Sequence, residues 1–551
     1  MKKARQNIKQ KYISSAFILM VSTVVVKIIS AVYKIPLTAY IGAAGRGCFS
    51  VAYNLCMPIH ALTMGAFPIA LSKLVSTYNA KGDYLKIKAV KKASGRLFFI
   101  VGTAGMMIMI LAAEPYAKGV ASSPKSLYTI LALAPSVLFS CLAASKRAFA
   151  EGYLDMKPTA LSQVIEALFK MVFGLLFARL SMSYLYDSYC KSGAVLGIPA
   201  AGEEDALSQI YPLTAACAML GVTLASIASW IFSAVYTNSR YNSFPAGKID
   251  VREGMNELVM FSLPLVGATA VQSIANFIDT ASIQYSLTLV DKAALSLQYN
   301  ISGDDVYTYL YGIYSAALDF KNLVPGIVMS LGVTAVPAVS AAYESSTERF
   351  TALMNSILKY TSVLACAGGG VLSLFSGDIL SLFYGSSNSD IAENGSSLLF
   401  LFGVTMLPCC IASTAVYCVQ SLGYSKQIIL PFLVSAVARC TLNLLLVSRA
   451  EINILASAVS NFAGFLIIAV WSILILKKKI NCRVSILNVF VKPIICTSVV
   501  YFAVKIIREA VFTGLSDFWS FALSLLIYGV ILAFLLILLK IISLSELKTN
   551  K

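Results

Sequence analysis

The chain has 551 residues, of which 58% are hydrophobic and 13% are charged, and its formal net charge is +17. Soluble domains carry about 45–50% apolar and roughly 25% charged residues, so a chain of this composition cannot fold as a soluble globule. The positive charge does not indicate nucleic acid binding, because the basic residues lie in short segments between apolar runs and form no soluble basic module.

Fourteen stretches of the chain are apolar enough to cross a bilayer, which takes about 20 mostly apolar residues. The first follows a basic N-terminus and continues past Lys27, so we interpret it as an uncleaved spanning helix rather than a signal peptide. The sequence therefore predicts an all-α, polytopic membrane protein with 14 transmembrane helices. The predicted spans are 13–41, 48–77, 94–117, 125–146, 158–185, 209–237, 256–286, 307–342, 350–376, 395–421, 427–448, 452–476, 485–508 and 516–543.

The segments between these spans carry an asymmetric charge. With the N-terminus in the cytoplasm, the cytoplasmic segments hold 25 Lys and Arg residues, whereas the outer segments hold seven. This asymmetry is the positive-inside pattern of membrane proteins. It predicts a multi-pass protein of the bacterial cytoplasmic membrane with both termini cytoplasmic.

Eleven basic but only three acidic residues remain inside or at the edges of the predicted spans. Ionisable groups at membrane depth cost on the order of 2.5–3.5 kcal/mol each to insert, so they usually face a partner or a watery cavity. Snorkelling toward the headgroups accounts for lysines near span ends. Those lysines are Lys359, Lys492, Lys505 and Lys540.

Prolines inside the spans recur in the same order in the two halves of the chain. The first half has Pro68, Pro135 and Pro158, and the second has Pro337, Pro408 and Pro431. Chance is the alternative explanation, because spanning helices tolerate proline. A repeat of six spans predicts two parallel six-helix bundles, in 1–240 and 241–484, followed by an additional helix pair and cytoplasmic tail in 485–551. Two such bundles enclose a cavity that opens alternately to each side.

Three stretches of sequence resemble a known family. They are YKIPLTAYIGAAGRGCFSVAYNLCMP (33–58), GAFPIALSKLVSTYNAKGDY (65–84) and KRAFAEGYLDMKPTALSQVIEALFK (146–170). The chain resembles the stage V sporulation protein B branch of the multidrug/oligosaccharidyl-lipid/polysaccharide (MOP) exporter superfamily, which includes lipid II flippases and polysaccharide exporters. In the third stretch Ala148 replaces a usual glycine and Glu151 a common glutamine. For the flippases, the resemblance implies a cation-lined cavity that holds a pyrophosphate and a groove for the polyprenyl tail.

Lys27 and Lys34 are the first candidates for binding a pyrophosphate. The resemblance places Lys27 on a basic position of the first helix and Lys34 within one residue of a second. The two lysines are seven residues apart and share one helix face. Two ammonium groups in a cavity suit a pyrophosphate that leaves water. The alternative is that both lysines snorkel.

Further candidates lie on later spans. Gln163, Glu166 and Lys170 share a face of the fifth span, where they either contact substrate or form an intrahelical Glu166–Lys170 pair. Asp279, with Asn276 one turn earlier, is a candidate carboxylate for a coupling cation, with a helix-packing hydrogen bond as the alternative. Asp319 and Lys321 point about 200° apart on a helix and are not expected to pair. We take Lys321 as a cavity cation and Asp319 as a possible ion ligand.

The most consistent function is an alternating-access flippase for a polyprenyl-pyrophosphate-linked saccharide, such as a cell-wall or polysaccharide precursor. The alternatives are a cation-coupled multidrug exporter of the same superfamily and a membrane enzyme that acts on a lipid-linked glycan. The exporter fits less well, because bases outnumber acids at membrane depth. Twelve scattered cysteines without a CxxC pair and one histidine, His60, indicate neither a metal site nor a catalytic group. We therefore predict no enzyme activity, no catalytic residue, no metal and no cofactor; the predicted partners are the substrate, membrane lipid and a coupling cation.

Overall fold

The structure is a computed structural model that describes residues 2–153, 155–241, 245, 247, 249–299, 306–328, 347–385, 389–422, 424–480, 484–512, 516–539 and 541. Most of the described residues are helical, as expected for a chain whose backbone groups must be satisfied within lipid.

Nine helices occupy the first part of the described chain. They are α1 (Lys2–Met64), α2 (Ala66–Lys81), α3 (Tyr84–Pro115), α4 (Ser126–Glu151), α5 (Lys157–Ser192), α6 (Glu203–Arg240), α7 (Val251–Thr288), α8 (Lys292–Tyr299) and α9 (Val306–Lys321). A π-helical turn, Tyr116–Val120, extends α3. A two-stranded antiparallel hairpin, β1 (Ala194–Val195) and β2 (Ile198–Pro199), joins α5 to α6 through Leu196 and Gly197, both of which have positive φ.

Eight helices follow. They are α10 (Thr347–Leu374), α11 (Ser376–Tyr384), α12 (Ser389–Val404), α13 (Met406–Ser421), α14 (Ser425–Leu442), α15 (Ala456–Ile480), α16 (Lys492–Val511) and α17 (Asp517–Leu538). A π-helical turn, Asn443–Val447, follows α14, a 3₁₀ turn, Asn453–Leu455, precedes α15, and a second π-helical turn, Leu487–Val491, leads into α16.

Helix α1 consists of two helical segments that meet at a kink. The sequence predicts two spans, 13–41 and 48–77, separated by an outer turn; in the structure the backbone leaves the helical conformation at Gly42 alone, and the second segment runs from there to Met64. Gly42 has φ 60° and ψ −174°, a backbone conformation that side-chain-bearing residues rarely adopt. Arg46 is buried inside the helix, where its Nη1 donates to Thr38 Oγ1 at 2.7 Å. The glycine-rich segment is therefore a kink next to a buried arginine rather than a solvent-exposed loop.

The chain forms two compact units. The first comprises Met1–Thr288 and Ser296–Gly312, and the second Leu289–Leu295 and Ile313–Lys551. Helix α7 belongs to the first unit because it packs on α1, α2 and α3. The predicted bundle boundary at residue 240 lies before this helix. The units follow packing rather than repeat symmetry, so the division into two repeated six-helix bundles and a helix pair stays a prediction; Pro337 lies outside the described residues.

The helices confirm an all-α, multi-pass membrane protein. Within the described residues, ten helices are long and apolar enough to cross a membrane, or eleven if the bent pair Ile391–Val404 and Met406–Gln420 counts as one span. The predicted number of fourteen is not confirmed. One reason is that the 52-residue stretch Ile28–Asn79, which contains the kink at Gly42 and covers two predicted spans, is counted once, and another is that much of the predicted span 307–342 lies outside the described residues.

The orientation predicts a pattern of cysteine labelling. After Cys190, which is exposed, and the other native cysteines are replaced, a cysteine at Glu203 should react with an impermeant maleimide added to intact cells. A cysteine at Lys92, exposed near the start of α3, should react only after the membrane is permeabilised. The physical reason is the excess of basic residues in the segment around Lys92. The reverse labelling pattern would contradict the predicted orientation.

Candidate functional site

Lys170 lies in an aromatic cage in the first unit. Its Nζ donates to Tyr53 Oη at 2.9 Å and lies 5.0 Å from the centroid of the Tyr53 ring. The ring centroids of Tyr33 and Phe49 lie 5.4 Å and 6.0 Å away. All three rings belong to α1 and Lys170 belongs to α5. The faces of aromatic rings attract a cation, so the cage holds the ammonium group at membrane depth in a defined position.

Glycines let the helices that build this cage come close together. A Cβ at Gly174 of α5 would lie 2.8 Å from Tyr33 Oη, so only a hydrogen at this position leaves room for the tyrosine. A Cβ at Gly221 of α6 would lie 2.6 Å from Gly174 Cα. Small residues at such crossings are the usual basis of helix packing in membranes.

Glu166, one turn before Lys170 on α5, forms an ion pair with Arg147 of α4. Arg147 Nη2 lies 2.8 Å from Glu166 Oε2 and also donates to Ser229 Oγ of α6. The sequence had suggested Lys170 as the partner of Glu166, and Arg147 had been assigned to a cytoplasmic segment. Because α4 continues to Glu151, Arg147 is still helical, and its side chain is only 14% exposed. This interhelical pair ties α4, α5 and α6 together, and Gln163 is half-buried on the same helix.

The two lysines of α1 differ in what the structure describes. Lys34 is half-buried next to Tyr33, and its carbonyl accepts a hydrogen bond from Thr38 Oγ1 at 2.8 Å. Lys27 lies within α1, but its side chain is outside the described residues. The predicted Lys27–Lys34 site therefore stays a prediction.

The predicted ion site on α7 is divided between two environments. Asp279 is buried, with 5% of its surface exposed, whereas Asn276 is exposed. Asp279 lies in the same unit as a buried polar network in which Tyr116 Oη donates to Gln284 Oε1 at 2.6 Å and Asn54 donates to Tyr311 Oη. The structure thus does not enclose Asp279 and Asn276 together. Asp319 is half-buried on α9.

Lys321 lies in a comparable aromatic cage in the second unit. It is 4% exposed, and its Nζ donates to Asn461 Oδ1 at 3.1 Å. The ring centroids of Phe402 and Phe465 lie 4.5 Å and 5.5 Å from the same nitrogen. Phe465 also lies 5.3 Å from the guanidinium carbon of Arg439, which is 3% exposed. Two buried cations therefore share one aromatic ring.

Gly464 is what allows Arg439 to occupy this position, because a Cβ at 464 would overlap the Cγ and Cδ atoms of the arginine. The sequence predicts Lys321 as a cavity cation but does not connect it with Arg439. It also missed Asn461, Tyr33 and Tyr53. The recurring aromatic residues before and after Lys34 were the available signal for the first cage; nothing local in the sequence joins α9 to α14 and α15.

A large apolar groove of about 810 Å³ lies in the second unit. Its walls come from α10, α12, α13, α15 and α16. Part of the wall consists of Gly369, Gly370 and Gly403, which have no side chains. Lys505, predicted only to snorkel, lines the groove near the end of α16. Among the residues that the structure describes, no three His, Cys, Asp or Glu side chains are placed to hold a metal ion.

Helix α16 is attached at both of its ends to other helices of the second unit. Arg508, in its last turn, donates from Nη1 and Nη2 to the two carboxylate oxygens of Asp378 on α11, both at 2.6 Å. Just before α16, the backbone N–H of Ser485 donates to Asn355 Oδ1 of α10 at 2.8 Å. These two attachments fix one wall of the groove.

Comparisons with known proteins agree with this architecture. Residues 13–197 match a family described as polysaccharide biosynthesis protein. Over 524 residues the chain is 23% identical to the lipid II flippase MurJ of Bacillus subtilis (strain 168), covering 90% of this chain and 88% of the relative. Over 547 residues it is 22% identical to stage V sporulation protein B of the same organism, covering 98% of both proteins.

Solved structures match the fold over most of the chain. A structure of the lipid II flippase MurJ in an inward closed conformation has a TM-score of 0.66 at 15% identity and covers 94% of this chain and 98% of its own. An inward-facing multidrug resistance MATE family transporter of the MOP superfamily has a TM-score of 0.63 at 14% identity, covering 82% and 94%. The findings confirm the resemblance predicted from the sequence: the chain is similar to a lipid II flippase and to stage V sporulation protein B, and its fold is shared by solved transporters of the MOP superfamily.

Proposed function

We propose that the chain is an alternating-access flippase that moves a polyprenyl-pyrophosphate-linked saccharide, such as a cell-wall or polysaccharide precursor, across the cytoplasmic membrane. The observation that carries this proposal is that each compact unit holds a lysine at membrane depth in an aromatic cage, Lys170 in the first and Lys321 in the second. Its relatives include a lipid II flippase, which supports a transporter of a lipid-linked precursor.

Positioned ammonium groups suit a pyrophosphate. Hydroxyl, amide and ring contacts orient Lys170 and Lys321 without removing their charge, so each can attract an anion in a site of low dielectric constant. We assign Lys170, Lys321 and Lys34 to substrate phosphate binding, with Lys27 as a further candidate. Gln163 is left as a saccharide contact. Glu166 positions α5 through Arg147 rather than touching substrate.

The apolar groove of the second unit supports a lipid-linked substrate. Its length along α16, from Phe490 to Lys505, is 15 residues and therefore about 20 Å. Such a groove buries a hydrocarbon chain while the polar part of the molecule is moved elsewhere. Burial of each methylene group contributes about 0.8 kcal/mol when it leaves water, although a chain that enters from lipid gains mainly packing contacts.

A cation-coupled multidrug exporter is the second candidate, and two observations favour it. The fold matches that of a MATE family transporter, and Asp279 is a buried carboxylate of the kind a coupling cation uses. A coupling ion at Asp279, with Asn276 exposed nearby, or one at Asp319 in the second unit is compatible with either transporter. The lysine cages favour the anionic substrate.

A reconstituted system tests the proposal. The purified full chain in vesicles should move a fluorescent polyprenyl-pyrophosphate-linked disaccharide between leaflets, measured as the fraction quenched by dithionite added outside. A fluorescent cationic drug should not be moved. Movement of the drug without movement of the glycolipid would establish the exporter instead.

The same assay predicts the effect of filling the groove. Ser498 is exposed and lines the groove, so Ser498→Trp should occupy space that the hydrocarbon chain needs and slow transport roughly tenfold, which corresponds to the loss of about 1.4 kcal/mol of packing contacts. Its neighbour Val499 is 52% exposed and lies outside the groove lining. Val499→Trp is therefore the matched control and should transport normally. Equal transport rates in the two variants would show that the groove has no part in transport.

A further inference from the structure

A polar cavity of about 290 Å³ continues the apolar groove at one end, within the same unit. Along α10 the lining passes from Asn355, Ser356 and Lys359 in the polar cavity to Ala365 and Cys366 in the groove. On the chain that enters α16 the two linings interleave, with Val489 and Lys492 in the polar cavity and Phe490 and Ile494 in the groove. The two cavities therefore lie side by side where α16 begins and separate along α10.

The polar cavity presents two cations and several neutral groups. Lys359 and Lys492 are both half-buried and both line it. Lys359 Nζ lies 4.9 Å from the ring centroid of Tyr360, and no ion pair forms between either lysine and the residues that the structure describes. Ser485 and Asn488, joined by a 3.2 Å hydrogen bond, complete the rim. Two ammonium groups with hydroxyl and amide donors form a typical site for a phosphate.

We propose that this cavity binds the phosphate of a polyprenyl phosphate whose hydrocarbon chain lies in the apolar groove. The inference rests on the proposed function and adds a phosphate site that is separate from Lys34, Lys170 and Lys321. Charge complementarity selects an anionic headgroup, and the apolar wall that begins beside it selects a lipid rather than a free phosphate.

The length of the groove decides which lipid it fits. From Phe490 to Lys505 the wall extends about 20 Å, whereas one leaflet of a roughly 30 Å hydrocarbon core is about 15 Å thick. A chain that fills the groove from a phosphate at one end therefore passes the bilayer midplane. A long polyprenyl chain does so, while an acyl chain of a membrane phospholipid stays within its leaflet.

The cavity lies on the side where α10 and α16 begin and where Lys477, Lys478 and Lys479 end α15. The excess of basic residues makes this the cytoplasmic side. The site is therefore placed to receive the lipid phosphate from the inner leaflet before the substrate reaches the caged lysines.

Binding of a long-chain polyprenyl monophosphate to the full-length protein in nanodiscs tests the site. The variant Lys359→Gln/Lys492→Gln should bind roughly tenfold or more weakly, because two charge-assisted contacts are lost. Polyprenol of the same length, which has no phosphate, should bind the parent and the variant equally weakly. Lys426→Gln is the matched control, since Lys426 is an exposed lysine of the same unit that lines neither the groove nor the polar cavity, and it should keep the affinity of the parent.

Three results would overturn the inference. The first is equal affinity of the parent and the double variant, and the second is an equal loss in Lys426→Gln. The third is competition by phosphatidylglycerol as effective as that of polyprenyl phosphate, which would make the cavity a site for membrane phospholipid.

If the double variant fails to fold, photolabelling of the parent protein tests the site instead. A photoactivatable polyprenyl phosphate should label peptides around Lys359 and Lys492. Labelling elsewhere would contradict the site. Glycolipid transport is scored separately in vesicles. If glycolipid transport is normal but no polyprenyl phosphate binds at this cavity, the phosphate site is contradicted and the proposed flippase is not. If polyprenyl phosphate binds here but no glycolipid is transported, the proposed flippase is contradicted and the phosphate site is not.

Discussion

Lys170→Gln should lower glycolipid transport roughly tenfold to a hundredfold, while the protein stays folded and inserted. The substitution removes the cation that Tyr53, Tyr33 and Phe49 hold in position, and a hydrogen bond to a charged group contributes about 1.5–3 kcal/mol. Inserting the span becomes easier by about 2.5 kcal/mol when the charge is absent, so poor expression is not expected. The measurement is the initial rate of dithionite protection in vesicles, normalised to protein.

Two variants make this result interpretable. Lys191→Gln removes the same charge from an exposed lysine that pairs with Asp187, and it should transport like the parent. Lys170→Arg keeps the charge but changes the geometry of the donors, so it should retain intermediate activity. If Lys170→Gln transports at the parental rate, the caged lysine has no part in substrate binding and serves packing alone.

Gly221→Ala should have the largest effect on stability. The added methyl group would overlap the backbone of Gly174 at the crossing of α5 and α6, and neither backbone can rotate away as a side chain could. Overpacking of this kind costs about 1–3 kcal/mol. The measurement is the free energy of unfolding in an SDS titration of the purified protein.

Gly95→Ala is the corresponding control for that substitution. Gly95 is also inside a helix of the first unit, but no atom lies within 4 Å of the position its Cβ would take. Alanine favours helix over glycine by about 1 kcal/mol, so this variant should be as stable as the parent or slightly more stable. Equal destabilisation by both substitutions would show that the α5–α6 crossing tolerates separation.

The general architecture was predictable because it depends on hydropathy and charge summed over many residues. Hydropathy over about 20 residues and the placement of Lys and Arg are insensitive to any one contact, which explains why most predicted spans correspond to helices. The break in α1 was not predictable in the same way. The glycine-rich segment Gly42–Gly47 is typical of a turn, whereas in the structure only Gly42 leaves the helical conformation and the buried Arg46 donates to Thr38 across the kink.

The candidate site was predictable by residue type but not by partner. Lys170, Glu166 and Lys321 stood out because ionisable residues are costly inside spans. Their partners lie far away in sequence: Lys170 contacts Tyr53, Glu166 pairs with Arg147, and Lys321 contacts Asn461. Helical spacing gives only neighbours on the same helix, so it suggested Lys170 for Glu166 and could not find the interhelical pair.

The two attachments of α16 determine how the groove discriminates among lipids. Arg508 attaches one end of the helix to Asp378, and the Asn355–Ser485 hydrogen bond holds the other, so the wall between them is fixed at both ends. Most of the residues that line the groove are apolar, so they offer few polar groups with which to distinguish one hydrocarbon chain from another. We expect the groove to select hydrocarbon chains by length. Chains shorter than the distance between the two attachments leave part of the wall uncovered and bind more weakly. Chains that cover the whole wall gain little affinity from further length.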